Sequence, residues 1–154
     1  AAKKNNSALV SVDITDCSRV TNYDKWFFVK MDDVMFAAQF KNWCKEKNLQ
    51  PSVDVLFIDT THTYEHTKKE INAWFPFLSK TAVVMFHDTN SKIIYKRIDE
   101  SLGVGNDYDR GVIKAVEEYY GAEFAETKNF EKKIKNNIVK HFNNCNGFLV
   151  IRKN

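Results

Sequence analysis

Apolar residues along the chain are concentrated in short runs that polar segments separate. The runs are rich in Val, Ile, Leu and Phe, which predicts buried β-strands. A shorter strand is also predicted over residues 122–127. The main runs are SALVSVDI (7–14), WFFVKM (26–31), VDVLFID (53–59), TAVVMFHD (81–88) and GFLVIRK (147–153).

Between these runs lie segments whose apolar residues recur with the period of a helix. Residues 32–48 carry an apolar stripe, residues 63–78 have Thr63 as a candidate N-cap, and residues 109–121 end at Gly121. Strands that alternate with helices are typical of βαβ units, so the sequence predicts an α/β fold with a mainly parallel sheet. A length of 154 residues predicts a single domain that spans the whole chain.

Composition and charge narrow the class of function. Hydrophobic residues are 44% and charged residues 28% of the chain, which is ordinary for a globular domain. No apolar run approaches the ~20 residues that span a bilayer, and residues 1–10 lack the hydrophobic region of a signal peptide. The net charge of +3 is too small to indicate nucleic-acid binding. We therefore expect neither a membrane nor a nucleic-acid partner.

The cysteines and the lysines each add one expectation. Cys17, Cys44 and Cys145 are odd in number and far apart, which predicts reduced thiols and a cytoplasmic location. Residues 127–141 carry five lysines against one acid. This segment is either a solvated basic face or a patch that steers an anionic substrate.

Acidic residues stand where the predicted strands end. The first strand ends at Asp13, the second leads into Asp32, the third ends at Asp59 and the fourth at Asp88. Any one of these acids can simply cap the helix that follows. A parallel sheet, however, brings the carboxyl ends of its strands to one edge, where ligands bind. Four such ends favour a shared site for a cation or a hydroxyl-rich ligand.

Two histidines accompany these acids. Asp59 and Asp88 are a natural ligand pair for a hard divalent ion. His87 is either a further ligand or points into the sheet, because neighbouring strand residues face opposite sides. His62 either accepts a proton from a substrate hydroxyl or is a surface residue near a helix N-terminus.

Asp13 has a second interpretation as the acid that binds the hydroxyls of a ribose. The glycine-rich turn that accompanies such an acid stands about twenty residues earlier. Only twelve residues precede Asp13, and none of them is glycine.

One block of the sequence, DVLFIDTTHTYEHTKKEINAWFPFLSKTAVVMFHDT (54–89), resembles the core of class I S-adenosylmethionine-dependent methyltransferases. The resemblance is to a bacterial group of sugar and macrolide O-methyltransferases and cephalosporin-hydroxylase-like proteins. Their pattern reads D-x-x-F-I-D-x-x-H-x-Y, then a helix and F-H-D-T. The resemblance implies a Rossmann-like, mostly parallel sheet in the order 3-2-1-4-5-7-6, with an antiparallel last strand at residues 147–153.

The resemblance also implies S-adenosylmethionine as the cofactor. Asp13 would bind its ribose, Asp32 would reach the adenine amino group, and Asp59 would be a further cofactor-binding residue.

In metal-dependent relatives, Asp59, His87 and Asp88 would hold Mg²⁺, and His62 would be the general base. Relatives often carry an acid followed by an acid or an amide at the second ligand pair. His87 departs from that pattern, so Asp88 is the better ligand candidate.

The family's first strand and glycine-rich loop would precede residue 1 according to the same resemblance. We therefore expect an N-terminally truncated chain, the C-terminal three quarters of the family's domain. Alternatively, the two strands that flank the gap pair directly, or a partner chain fills it.

The leading functional hypothesis is S-adenosylmethionine-dependent methylation of a hydroxyl on a sugar or secondary metabolite, with metal assistance left open. The alternatives are a non-catalytic binding or scaffold domain and a nucleotide-binding domain. Relatives build acceptor contacts from the segment that corresponds to residues 89–110. Tyr95, Tyr108 and Arg110 are either such contacts or packing residues. The expected partner is the small-molecule acceptor, and a homo-oligomer remains an open alternative.

Overall fold

A computed structural model describes residues 2–90, 94–96, 99–104 and 110–153 of the chain. The chain divides into two compact units, Ala1–Pro51 and Ser52–Asn154. Within the described residues, no helix is both long and apolar enough to cross a membrane.

The first unit contains a pair of parallel strands and one long helix. Asp13 lies opposite Lys30 in the strand pair. Asp32 caps the long helix, because its carboxylate accepts a hydrogen bond from the Met35 backbone N–H at 2.9 Å. The elements are α1 (Ala2–Asn5), β1 (Leu9–Asp13), β2 (Trp26–Lys30) and α2 (Asp33–Glu46). The buried residues of α2 recur with helical period and are Phe36, Ala37, Phe40 and Cys44.

The second unit is built on a sheet of five strands in the order β3-β4-β9-β8-β7. Its elements are β3 (Val53–Ile58), α3 (Tyr64–Trp74), a 3-10 turn (Phe75–Phe77), β4 (Leu78–His87), β5 (Ile94–Lys96), β6 (Leu102–Val104), α4 (Gly111–Tyr120), β7 (Phe130–Ile134), β8 (Asn137–Phe142) and β9 (Phe148–Lys153). β5 and β6 form a separate antiparallel pair. The order β3-β4-β9-β8 corresponds to the 4-5-7-6 half of the order that the resemblance implies.

The five-stranded sheet is mixed rather than mainly parallel. β3 and β4 are parallel, whereas β4–β9, β8–β9 and β7–β8 are antiparallel. Much of the lysine-rich segment 127–141 forms the β7–β8 hairpin, and residues 122–127 form a loop instead of the predicted strand. The five lysines of the segment are exposed, which agrees with a solvated basic face.

Apolar residues of α3, α4, the loop after α4 and the sheet form one buried cluster. Each large side chain in it contributes about 1.5–3 kcal/mol of burial free energy. The first turn of α4 lies against the loop after β3, because a Cβ on Gly111 would be only 2.4 Å from the carbonyl oxygen of His62. The core therefore fixes the loop that carries His62. The buried cluster consists of Ile58, Ile71, Val84, Phe86, Val112, Ile113, Ala115, Val116, Phe124, Val139, Leu149 and Ile151.

Candidate active site

The carboxyl ends of β3 and β4 lie side by side, because these strands are parallel neighbours. Asp59 follows β3 directly, His87 ends β4, and Asp88 follows β4. His62 lies in the loop between β3 and α3. One donor atom from each of these four residues lies within 4.8 Å of the others. The structure thus brings together four of the residues that the sequence singles out.

His62 lies between the two carboxylates. Its Nε2 is 3.0 Å from Asp59 Oδ1, and its Nδ1 is 3.3 Å from Asp88 Oδ2. A neutral imidazole carries one N–H and a protonated one carries two, so His62 can donate to both acids only as a cation. A neutral His62 instead keeps one ring nitrogen that can accept a proton.

His87 approaches the same two acids from the end of the strand. Its Nδ1 is 3.0 Å from Asp88 Oδ1 and 3.5 Å from Asp59 Oδ1. Neither His87 Nδ1 nor Asp88 Oδ1 has a partner with hydrogen-bond geometry among the described residues, although both atoms are shielded from solvent. Buried polar atoms are normally paired, so these two atoms indicate a place where a further group binds.

The backbone explains how His87 and Asp88 reach one site although strand alternation would separate them. β4 ends at His87, and Asp88 has a φ of 53°, in the left-handed region. His62 adopts a similar φ of 57°. This region costs a non-glycine residue about 1–2 kcal/mol, so contacts elsewhere must hold both turns.

Two glycines allow the close packing that holds these turns. A Cβ on Gly111 would be 2.4 Å from the His62 carbonyl oxygen, and one on Gly147 would be 2.6 Å from Thr89 Oγ1. Backbone hydrogen bonds join the same segments, since Thr89 N–H donates to the Gly147 carbonyl at 3.4 Å. Asn90 N–H donates to the Asn146 carbonyl at 2.6 Å.

A buried histidine lies directly behind the turn after β4. His141 is fully buried, with Nδ1 2.9 Å from the Lys128 carbonyl oxygen and Nε2 2.9 Å from Thr89 Oγ1. A carbonyl only accepts hydrogen bonds, so Nδ1 carries a proton, and in the neutral ring Nε2 accepts the bond from the Thr89 hydroxyl. His141 therefore anchors the residue that follows Asp88.

A second buried polar residue lies behind the turn after β3. Glu70 is fully buried and accepts a hydrogen bond from Thr60 Oγ1 at 2.8 Å. Sequence reasoning assigned no role to Thr60 or Thr89. Their position in the sequence could have indicated such a role, because each threonine directly follows one of the two site acids.

The site is open on one side and enclosed on the other. The Asp59 and His87 side chains are 44% and 35% exposed, whereas those of His62 and Asp88 are 14% and 16% exposed. Asp59 and His87 are therefore the two groups most accessible to a small molecule. The two enclosed side chains are also partly desolvated, which strengthens their electrostatic interactions.

The other predicted cofactor-binding acids, Asp13 and Asp32, belong to the first unit. Asp13 Oδ1 accepts a hydrogen bond from the Thr15 backbone N–H at 2.7 Å. Its second oxygen can accept bonds from ribose hydroxyls, so its chemistry fits S-adenosylmethionine. Asp32 Oδ1 is engaged as the cap of α2, and Asp32 Oδ2 offers the adenine amino group an acceptor of the right kind.

Arg110, which the sequence left as a substrate contact or a packing residue, is bound to two acids. Its Nε and Nη2 donate to the Glu126 carboxylate at 2.6 and 3.1 Å, and Nη2 donates to Glu117 Oε1 at 2.9 Å. The hydrogen bond to Glu126 raises the pKa of the guanidinium. These contacts favour the interpretation of Arg110 as a packing residue. Tyr108 and the side chain of Tyr95 lie outside the described part of the chain.

Comparison with known proteins identifies the family. A family model described as a methyltransferase domain matches residues 1–89, more than half of the chain. The chain therefore belongs to the methyltransferase-domain family, for which S-adenosylmethionine is the implied cofactor. Among curated proteins, none is significantly similar in sequence.

One similar solved structure is a proposed S-adenosylmethionine-dependent methyltransferase from Streptococcus mutans. It is 13% identical to this chain, with a TM-score of 0.48. The match covers 94% of this chain and 38% of the other, so the chain spans well under half of that protein's length.

Proposed function

We propose that this protein transfers a methyl group from S-adenosylmethionine to a hydroxyl oxygen of a small molecule. Membership of the methyltransferase-domain family supports methyl transfer. The observation that supports an oxygen acceptor is the cluster of Asp59, His62, His87 and Asp88 at one open edge of the sheet. A hydroxyl must lose its proton as it attacks a methyl group, and this cluster contains groups that take up protons.

The cofactor contacts of this proposal are those that the family resemblance implies. S-adenosylmethionine, when bound, supplies an electrophilic methyl group on a positively charged sulfur. Asp13 would accept hydrogen bonds from the ribose and Asp32 from the adenine amino group, while Asp59 would be a third contact. These roles require only acceptor oxygens, which all three carboxylates have.

His62 is the proposed general base. Asp59 Oδ1, 3.0 Å from Nε2, can accept that N–H and so orient the ring. Nδ1 would then be the nitrogen that takes the proton from the acceptor hydroxyl. The exposed Asp59 carboxylate can also accept hydrogen bonds from neighbouring hydroxyls. An acceptor with several hydroxyls, such as a sugar or a hydroxylated secondary metabolite, suits this chemistry.

A divalent ion held by Asp59, Asp88 and His87 would position an acceptor hydroxyl and lower its pKa. Magnesium is the ion that the family resemblance implies. The carboxylates suit magnesium, but an imidazole ligand does not.

The proposed cofactor can be tested by isothermal titration of the protein with S-adenosylhomocysteine. We expect saturable binding, and Asp13→Ala should weaken it by about tenfold, because a hydrogen bond to a charged group contributes ~1.5–3 kcal/mol. Asp24→Ala, which removes an exposed acid of the same unit, should leave the affinity unchanged. Absence of any binding would contradict methyl transfer and favour the scaffold alternative.

The proposed base can be tested separately from cofactor binding. His62→Gln should leave the affinity for S-adenosylhomocysteine unchanged and slow methyl transfer to a hydroxylated acceptor by about 10²-fold or more. A variant that retains full transfer would exclude His62 as the base.

A further inference from the structure

Two imidazoles and two carboxylates form an unusual donor set for a magnesium ion. Magnesium prefers six oxygen ligands, several of them water, and binds imidazole poorly. Zinc and other first-row transition dications accept imidazole nitrogen and carboxylate oxygen together. Because donor atoms of both His62 and His87 lie within 4.8 Å of those of the two acids, the donor set favours a transition-metal dication over magnesium.

The distances between the donor atoms match the spacing of ligands around one ion. Asp59 Oδ1 is 3.0 Å from His62 Nε2 and 3.5 Å from His87 Nδ1, and Asp88 Oδ1 is 3.0 Å from His87 Nδ1. Ligand atoms that share a transition-metal ion lie about 3.3–3.6 Å apart in a tetrahedral site and about 3.0 Å apart in an octahedral one. Only small side-chain movements are needed to place an ion among them.

The remaining atoms of the cluster provide the outer hydrogen bond that a histidine ligand requires. A metal-bound histidine normally donates its other ring N–H to a carboxylate or a carbonyl. If His62 binds through Nε2, its Nδ1 carries the proton, and Asp88 Oδ2, 3.3 Å from Nδ1, is the carboxylate oxygen to which it can donate after a small side-chain movement. Asp88 can then bind through Oδ1 and orient His62 through Oδ2.

The two atoms left without hydrogen-bond geometry support the same site. His87 Nδ1 and Asp88 Oδ1 are shielded from solvent and have no hydrogen-bond partner among the residues that the structure describes. A bound cation would satisfy both, since a neutral imidazole nitrogen and a carboxylate oxygen each offer it a lone pair.

We propose that Asp59, His62, His87 and Asp88 form a binding site for a first-row transition-metal dication of the zinc and cobalt class, with His62 as a ligand. This assignment deepens the proposed function and rests on it only for the use of the ion in methyl transfer. His62 is then the general base in the ion-free protein alone. Binding of the ion itself requires neither cofactor nor acceptor.

The test is titration of the protein with Zn²⁺, Co²⁺ and Mg²⁺ in the absence of cofactor. We expect one Zn²⁺ per chain, bound about 100-fold or more tightly than Mg²⁺. Co²⁺ should give visible absorption bands characteristic of nitrogen and oxygen ligation. Magnesium binding as tight as zinc binding, or no zinc binding at all, would overturn the proposal.

Variants assign the ligands. His62→Gln and His87→Gln should each weaken Zn²⁺ binding about tenfold or more and alter the Co²⁺ spectrum. Asp54→Asn, which changes an exposed acid at the start of β3 and outside the four, is the control and should change neither. Circular dichroism confirms that each variant is folded. Unchanged zinc affinity in folded His62→Gln would refute the role of His62 as a ligand.

The two proposals fail in different ways. If the protein binds zinc but not S-adenosylhomocysteine, the metal site stands and methyl transfer is wrong. If it binds S-adenosylhomocysteine but not zinc, the metal site is wrong and the proposed methyl transfer stands.

Discussion

His62 and Asp88 reach the site because the backbone of each residue adopts a left-handed conformation, with φ values of 57° and 53°. Such conformations persist at functional sites when the surroundings enforce them. Here the first turn of α4 packs against the His62 carbonyl through Gly111, and Gly147 packs against Thr89. The arrangement of the four donor groups therefore depends on residues that carry no chemistry themselves.

The hydrogen bond between Thr89 and His141 gives a prediction at this scale. Thr89→Val keeps the shape of the side chain but leaves the buried Nε2 of His141 without its donor. We expect a loss of about 1–3 kcal/mol in the free energy of unfolding, measured by urea denaturation. Thr89→Ser retains the hydroxyl and should lose less. Equal stability of the Val variant and the unmodified protein would contradict the role assigned to this bond.

At the scale of elements, the apolar runs and helical periods predicted five strands and three helices that the structure contains. The β7–β8 hairpin was missed because lysines dominate its composition and conceal the alternation around Val139 and His141, the two residues that it buries.

Residues 122–127 were predicted as a strand, but this loop is held by side-chain contacts instead. Glu117 Oε1 accepts a hydrogen bond from Phe124 N–H at 2.7 Å, and Arg110 binds Glu126. Such contacts depend on folding and leave no periodic signal.

The pair between Arg110 and Glu126, which joins the start of α4 to this loop, predicts a dependence of stability on pH. Burial alone would raise the pKa of the Glu126 carboxyl, but the hydrogen bonds and charge of Arg110, together with a backbone hydrogen bond, outweigh it and hold that pKa below its usual value of 4.5. A lowered pKa stabilises the fold above pH 4.5, and this contribution is lost as the pH falls through the lowered pKa.

Glu126→Gln should therefore lower the Tm at pH 7 by an amount that corresponds to about 1 kcal/mol or less, since Arg110 is 43% exposed. The difference from the unmodified protein should shrink as the pH falls below 4.5 in thermal melts. Glu123→Gln, which changes an exposed acid of the same loop, should show no such trend. A Tm difference that stays constant down to pH 3 would contradict the linkage.

At the scale of the whole molecule, the second unit contains all four donor residues and the entire buried cluster that supports them. Its five-stranded sheet and the helices α3 and α4 are all formed by residues 52–154. The second unit thus holds what the proposed metal site requires, whereas Asp13 and Asp32 lie in the first.

This division predicts that residues 52–154 fold when expressed alone and bind zinc with the affinity of the longer chain. Their core supplies the burial free energy that a domain of this size needs. Circular dichroism, a cooperative thermal transition and zinc titration measure the outcome. Ile113→Ala, at a fully buried position, should lower the free energy of unfolding of the same fragment by about 2–5 kcal/mol. An unfolded fragment would show that the second unit depends on residues 1–51.

The sequence by itself determined five of the strands and the three longer helices, and it placed Asp59 and Asp88 at the ends of neighbouring strands. These features follow from local periodicity and from the general geometry of parallel sheets. Tertiary structure decided that His62 and His87 face the same two acids, because that depends on left-handed turns and close glycine contacts. Gly111 and Gly147 are distant in sequence from the turns that they accommodate, so no local pattern could reveal their effect.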